Sequence, residues 1–291
     1  MEWTGVAYFL DEKQRIFWLY LAASAAIGAG YLLAYPEHRK EALSTRVWWG
    51  ASARLDYLFF LVSALVKAFL IVPLVIGATE VAGWTLELCR SLGGHFVPAA
   101  WSRESVVLAY TLAIFVAGDF TRYWLHRWLH TVPFLWRFHR VHHTAETLNP
   151  LTFYRVHPVE NLLFGFRYAL SAGAVTGLFL YFFGAKVGLV DVLGANLFVF
   201  LFNMAGANLR HSHLPVRFGP LEGWVVSPYM HQHHHATEGT RTNFGGALAV
   251  WDRLFGTLHR EATKPLTFGL SDAKHTSVPS LLLEPFKGIK Q

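Results

Sequence analysis

The stretch DFTRYWLHRWLHTVPFLWRFHRVHH, Asp119 to His143, holds five of the sixteen histidines in a chain of 291 residues. Residues three or four apart share one face of a helix. Asp119, Tyr123, His126 and His130 sit at offsets of 0, 4, 7 and 11, which at ~100° per residue fall within roughly a 60° arc. His139, His142 and His143 follow at i, i+3 and i+4, and His231, His234 and His235 repeat that spacing far downstream in HQHHH. Ser227-Pro228 ahead of this last group reads as an N-cap and a first-turn proline, so the spacing predicts a helix beginning there. Three helix ends would then present eight imidazoles to one point.

A lone histidine on such a face is usually a hydrogen-bonded core residue, and His38, His95, His259 and His275 are read that way. One HxxxH pair arises often by chance; three groups together do not. Polar groups beside a bilayer need compensation, and neutral imidazole is the commonest nitrogen ligand for metals. The pattern therefore points to a metal site. His233 is out of phase with its neighbours and is placed outside it.

The surrounding chain is apolar. Hydrophobic residues make up 53% and charged ones only 15%, where a soluble domain carries about a quarter charged residues. Eleven tryptophans fit interfacial anchoring. A single cysteine, Cys89, excludes an intrachain disulfide, a thiolate iron–sulfur site and a CxxC redox pair. Met1–Arg15 is mixed and acidic, so no cleavable signal is expected. The expected architecture is all-α: a polytopic integral membrane protein with four to five spanning helices and a cytoplasmic helical cap carrying a histidine-rich dimetal site. Apolar runs at Ile16–Tyr35, Tyr57–Ala78 (with Lys67 inside and Pro73 to kink it), Ser105–Gly118, Glu160–Gly184 and Gly188–Ala207 are the candidate spans. Thr79–Arg103, with breakers Gly93-Gly94 and Pro98, reads as a loop with a short amphipathic piece. Residues 1–103 form the N-terminal membrane region, and 104–291 the histidine-bearing region, within one integrated domain.

Charge orients this layout. Basic loops, including Arg39, Lys40, Arg46 and Arg54, follow alternate spans. With five crossings the positive-inside rule puts them, and every clustered histidine, in the cytoplasm. The runner-up has four crossings, with one run re-entrant or buried in protein.

Eight imidazoles exceed the needs of one ion and suit a pair. Imidazole accepts iron, zinc or copper alike; a nitrogen-rich, carboxylate-poor pair at a membrane face suggests oxygen chemistry on a lipid, and hence iron. Ligating histidines usually donate their second N–H to a carboxylate or carbonyl. Asp119, Glu160, Glu146 and Asp252 are candidates by motif, with Asp119 preferred for sharing the face of His126 and His130. Asp252 with Arg253 reads more simply as a surface ion pair.

HRWLH (His126–His130), HRVHH (His139–His143) and HQHHH (His231–His235) resemble the histidine boxes of the fatty acid hydroxylase superfamily, specifically its sterol desaturase branch. DFTRYWLHR, YRVHPVE (Tyr154–Glu160), RHSHLP (Arg210–Pro215), SPYMHQHHH, TNFGG (Thr242–Gly246) and WDRLFGT (Trp251–Thr257) extend the resemblance in order from about Asp119 to Phe286. It implies a membrane-embedded di-iron monooxygenase or desaturase, an oxidoreductase that uses O2 and electrons to hydroxylate or desaturate a lipid. His126, His130, His139, His142, His143, His231, His234 and His235 carry over as metal ligands, and His211 as the ninth. His213 stands where the family usually has asparagine. His157 and His213 are each assigned either to a metal or to the layer around the ligands, with Asp119 and Glu160 in that layer.

The implied cofactors are two iron ions, replaceable by zinc in a purified sample, and O2. No nucleotide or flavin fingerprint is present, so electrons are expected from a separate ferredoxin, cytochrome or reductase. A basic face of Arg122, Arg127, Arg137, Arg140 and Arg155 is read either as steering such an acidic donor or as attracting anionic lipid headgroups. Nucleic acid is not an expected partner. The lipid remains open among sterol, polycycle, fatty acyl chain, ether lipid and aminolipid, as does hydroxylation against desaturation. The competing classes are a metal-binding or metal-transporting membrane protein without redox catalysis, and a relative holding a purely structural metal. A transporter would line its spans with ionisable groups, whereas only Lys67 and Asp191 interrupt these runs.

Overall fold

The computed structural model describes residues 5–94, 100–261, 266–273 and 277–287. His95 and His275, read above as structural, and the breaker Pro98 lie outside the described residues. Among the described residues the regular structure is helical apart from one β-hairpin with strands of two residues each and a few isolated bridges.

Helix α1, Trp18–Ala34, has 17 residues, about 25 Å at 1.5 Å per residue, and bends by 115° into the short helical pieces at Pro36–Trp49. Helix α2, Ala51–Val66, runs on through a π turn, Lys67–Ile71, and a 3-10 turn, Val72–Leu74, where Pro73 has no N–H to continue the ladder. Helix α3 is Ala78–Gly93 and α4 is Arg103–Thr131, capped by Ser102 Oγ, which accepts from Ser105 N at 3.2 Å. Val132, ahead of Pro133, is extended and splits the histidine stretch into α4 and α5, Pro133–His143. Helix α6, Pro158–Phe183, starts at an N-cap supplied by His157, whose Nδ1 accepts from Val159 N. The hairpin β1 (Asp191–Val192) and β2 (Ala195–Asn196) leads into α7, Leu197–Met204. A 3-10 turn at Ala207–His211 precedes α8, Pro228–His235.

Among the described residues, three stretches are long and apolar enough to cross a bilayer, 51–93, 103–131 and 158–186, and four if the bent pair at 18–49 counts as one. The fifth expected run is not a span. Val190 N donates to Thr111 Oγ1 and Asn196 Nδ2 to Thr111 O, pinning the hairpin to α4. What remains helical is eight residues, about 12 Å, against a hydrocarbon core of about 30 Å. The stretch read as a loop from Thr79 is instead the regular helix α3. Its partner explains it: α3 lies along α6, where Cβ atoms added at Gly173 and Gly177 would stand 2.5 Å from Val81 Cβ and Thr85 Cβ. Bare backbone on α6 lets α3 approach closely, as small residues do between membrane helices. Helix α3 needs no long apolar run of its own.

Helices α4 and α6 also pack together, tied by a 2.7 Å hydrogen bond between Tyr110 Oη and Thr176 Oγ1. The C-terminal end of α4, all of α5, the first turn of α6, the Ala207–His211 turn and α8 meet at one end of the bundle.

Candidate metal centre

Two groups of four buried histidines form at this end: His126, His130, His139 and His234, and His142, His211, His231 and His235. Each draws on several elements. In the first, α4 gives two residues and α5 and α8 one each; in the second, α8 gives two, α5 one and the 3-10 turn one. In the second group the Nε2 atoms converge, with His211 at 3.4, 3.2 and 3.3 Å from His142, His235 and His231, and His235 at 3.2 Å from His231. A tetrahedron with bonds of about 2.0–2.1 Å to one ion has edges of about 3.3–3.4 Å, so the spacing fits a bound metal. In the first group, Nε2 of His130, His139 and His234 is buried with no hydrogen-bond partner. Buried polar atoms are rarely left so, and a cation would satisfy all three.

His143 belongs to neither group and lies between them. Its ring centroid is 4.8 Å from that of His130, 4.9 Å from His234 and 4.5 Å from His235, and both its nitrogens are buried and unpartnered. Burial holds His142, His143, His211, His231 and His235 well below the ordinary imidazole range and His234 at about 3, with neighbouring imidazoles and, at His231, Arg210 adding to the effect. These rings are neutral and present lone pairs, the form that binds metal.

The opposite ring nitrogens are fixed by the protein. Nδ1 of His126 reaches Phe244 O at 2.8 Å, that of His234 reaches Thr242 O at 2.7 Å, that of His142 reaches Arg155 O at 3.3 Å, and that of His139 reaches Glu160 Oε1 at 2.8 Å. A proton on each Nδ1 leaves Nε2 free. His231 differs: Arg210 Nη2 donates to its Nδ1 at 2.8 Å.

Three of these supports come from one short segment. Thr242 and Phe244 hold His234 and His126 through their carbonyls, and Gly245 and Gly246 accept from Arg210. Two carboxylates pin this segment. Asp252 accepts from Phe244 N and Gly245 N at 2.8 Å each and from Thr257 Oγ1 at 2.6 Å. It is fully buried, not a surface partner of Arg253, and burial pushes it up to about 6 against the pull of its three donors. Asp119 shares a face with His126 and His130, yet its carboxylate accepts from Ala247 N, Leu248 N and Trp251 Nε1 at 2.7, 2.9 and 3.0 Å and from no histidine. Glycine is required nearby, since a Cβ on Gly246 would lie 2.4 Å from Asp119 Oδ1. The TNFGG and WDRLFGT motifs carry these roles, which side-chain spacing could not show because the acceptors are backbone carbonyls.

The remaining histidines stand apart. His157 caps α6 with Nδ1 and donates from Nε2 to Leu282 O at 3.2 Å, so neither nitrogen is available. His213 Nε2 accepts from Leu148 N, and its Nδ1 lies 3.5 Å from Glu41. His233 stacks on His259 at 4.0 Å. Glu146 is exposed. The expected basic face is also altered. Arg155 is buried in an ion pair with Asp56, Arg140 is buried against Glu284 and Asp272, and Arg122 lines a half-open cavity, each drawn inward by acceptors or space the sequence did not reveal.

That cavity, about 690 Å³, touches His126 and His139 of the first group and His142, His211 and His231 of the second. The family model described as fatty acid hydroxylase matches residues 111–257, just over half of the chain and the whole histidine cluster. The chain belongs to the fatty acid hydroxylase family. Among its relatives are an ornithine lipid hydroxylase, OlsE, of Rhizobium tropici, 32% identical over 69% of this chain and 57% of that protein. An alkylglycerol monooxygenase of Xenopus tropicalis is 29% identical over 57% of this chain and 34% of that protein. A very-long-chain aldehyde decarbonylase, GL1-8, of Oryza sativa subsp. indica is 32% identical over 53% of each. The chain thus spans between a third and three-fifths of the length of these family members. No solved structure matches it.

Proposed function

We propose that this protein is an O2-dependent lipid hydroxylase with two iron ions held by the two histidine groups and electrons delivered by a separate protein. The observation carrying this reading is that the cavity reaches both groups at once. A carbon placed there lies beside both metal positions, whereas a purely structural metal is closed off by its ligands. Bound iron would supply the activation of O2 and the removal of hydrogen from an unactivated C–H bond.

The chain's own part is positioning and exclusion. His126, His130, His139 and His234 would hold one ion, and His142, His211, His231 and His235 the other, with His143 between them. Glu160, Arg155 O and the 242–246 carbonyls keep the ligand rings oriented. Phe60, Ile71, Val75 and Phe164 give the cavity apolar walls suited to a lipid chain. The basic loop with Arg39, Lys40 and Arg46 lies at the histidine end, where Glu41 approaches His213. This supports a cytoplasmic placement of the site by the positive-inside rule.

The test is turnover in reconstituted membranes with isotope-labelled O2, a reducing ferredoxin system and extracted bacterial lipid. One labelled oxygen atom in a lipid product is expected. Loss of two hydrogens without label would replace hydroxylation by desaturation. No product from an iron-loaded, reduced protein with any lipid fraction would refute the enzyme reading.

A further inference from the structure

The cavity at the histidine groups is unusually positive. Six cationic side chains line it, Lys13, Arg15, Lys67, Arg122, Arg167 and Arg210, against one carboxylate, Glu160, which already holds His139. None of the six is ion-paired among the described residues. Three are partly engaged by neutral acceptors. Arg15 donates to Ala207 O, Arg167 to Gly118 O and Thr121 Oγ1, and Arg210 to Gly245 O, Gly246 O and His231 Nδ1.

Arg122 and Lys67 differ from these. Among the described residues their side chains make no hydrogen bond or ion pair and only approach rings: Arg122 over Phe164 at 5.3 Å, Lys67 over Tyr8 at 5.5 Å. Asp119 and Glu160 offset the charge of Arg122 in part, and Asp11 that of Lys67, but the oxygens of Asp119 are taken by three other donors and Glu160 holds His139. The crowding is felt outside the spans as well: burial, and next the guanidinium of Arg122, pull Arg15 down to about 10, still fully charged near neutral pH.

Lys67 lies in a stretch apolar enough to cross the bilayer, at the first position of the π turn Lys67–Ile71. An ionisable group there is costly unless a partner compensates it, and π turns often mark functional sites. Arg122 stands one helical turn before His126 on α4. Apolar wall continues from Ile71 and Val72 to Val75 and Ile76. The cavity thus combines an excess of cations, none of them in a direct ion pair among the described residues, with an apolar lining next to the candidate metal ligands.

Resting on the lipid hydroxylase reading, we propose that the cavity selects a lipid whose head carries an anionic group, a carboxylate or a phosphate, held by Arg122 and Lys67. The chain of the lipid lies along the Ile71–Ile76 wall. Sterols and other neutral lipids are then poor occupants, because they would cover both half-buried cations without pairing them.

The test is equilibrium binding to metal-loaded protein in neutral detergent, by calorimetry and without reductant, so that no turnover is required. The probes are hexadecanoic acid against methyl hexadecanoate, and dioctanoyl phosphatidic acid against dioctanoylglycerol. At least one anionic probe should bind about ten-fold or more tighter than its neutral counterpart, the scale of a charge-assisted hydrogen bond. Preference for the acid alone assigns a carboxylate head, for phosphatidic acid alone a phosphate head, and for both a site that reads charge. The double variant Lys67→Gln/Arg122→Gln should bring the ratio near one with metal content unchanged, and Lys67→Arg/Arg122→Lys should preserve it.

Equal binding of charged and neutral probes by the unaltered protein overturns the proposal. So does a preference that survives the double Gln variant, or a loss of both probes together with the metals, which would make the two cations structural. Failure of the oxygenase reading shows separately, as selective anion binding without any oxygenated product.

Discussion

Glu160 shows how far one side chain was legible. Its place in YRVHPVE suggested a carboxylate beside the ligands, and its Oε1 lies 2.8 Å from His139 Nδ1. Glu160→Gln keeps an acceptor but removes the charge that makes imidazole more basic, and such changes lower metal affinity by about 10–100-fold. Metal titration of the purified variant should show that drop; unchanged affinity would mean the contact only fills space. Asp119 was not legible in the same way. It shares the helical arc, but two backbone N–H groups and an indole satisfy its carboxylate first. Helical phase gives a direction, and the competing donors come from a segment over a hundred residues away.

Protonation gives a second prediction at this scale. In the folded chain burial holds His142, His211 and His235 well below the ordinary range and His234 near 3. The unfolded chain takes up protons near the usual value of about 6.5. Between these limits the unfolded state binds more protons, so stability rises with pH. Metal-free protein in detergent should therefore melt at a lower temperature at pH 5.5 than at pH 8. Equal melting temperatures would mean the imidazoles are hydrated, not buried.

Among the elements, α4, α5 and α8 were visible because histidine spacing and the Ser227-Pro228 start are local signals. Ser227 Oγ does accept from Met230 N at 3.3 Å. Helix α3 was hidden, because the feature that secures it is the bare Gly173 and Gly177 face of α6. Adding a methyl group there forces the helices apart. Gly177→Ala should destabilise the protein by about 1–3 kcal/mol, read as a lower melting temperature in detergent with metal content retained. An unchanged melt would show that α3 does not depend on this approach.

The 242–246 segment is a further element whose role emerges only in three dimensions. Asp252→Ala removes acceptors from Phe244 N and Gly245 N and frees the carbonyl that orients His126. The variant should lose metal from the first histidine group, leaving about half the metal of the unaltered protein. Full retention of metal would confine Asp252 to packing.

For the whole molecule, hydropathy identified a membrane protein with its histidines gathered at one end. Of the four to five spans expected, the five-crossing layout counted one run too many, because an apolar run states only that residues avoid water, while the four-crossing alternative agrees with the helices. The segment from Gly188 instead folds back against α4 through Thr111, with Leu189, Leu193 and Leu201 still on the outer surface. The cavity and its cations were invisible in one dimension, since Lys67 and Arg122 are far apart in sequence and come to line one space only through the packing of the helices around it.

The central claim is that two metals sit in two imidazole groups on one chain. The most direct measurement is metal content per chain of gently purified protein, with Mössbauer spectroscopy of an iron-57 sample. The account predicts two irons per chain in nitrogen-rich surroundings, with spectra that change when the reduced protein meets O2. One metal or none in folded protein, or zinc that iron cannot replace with gain of activity, would contradict it.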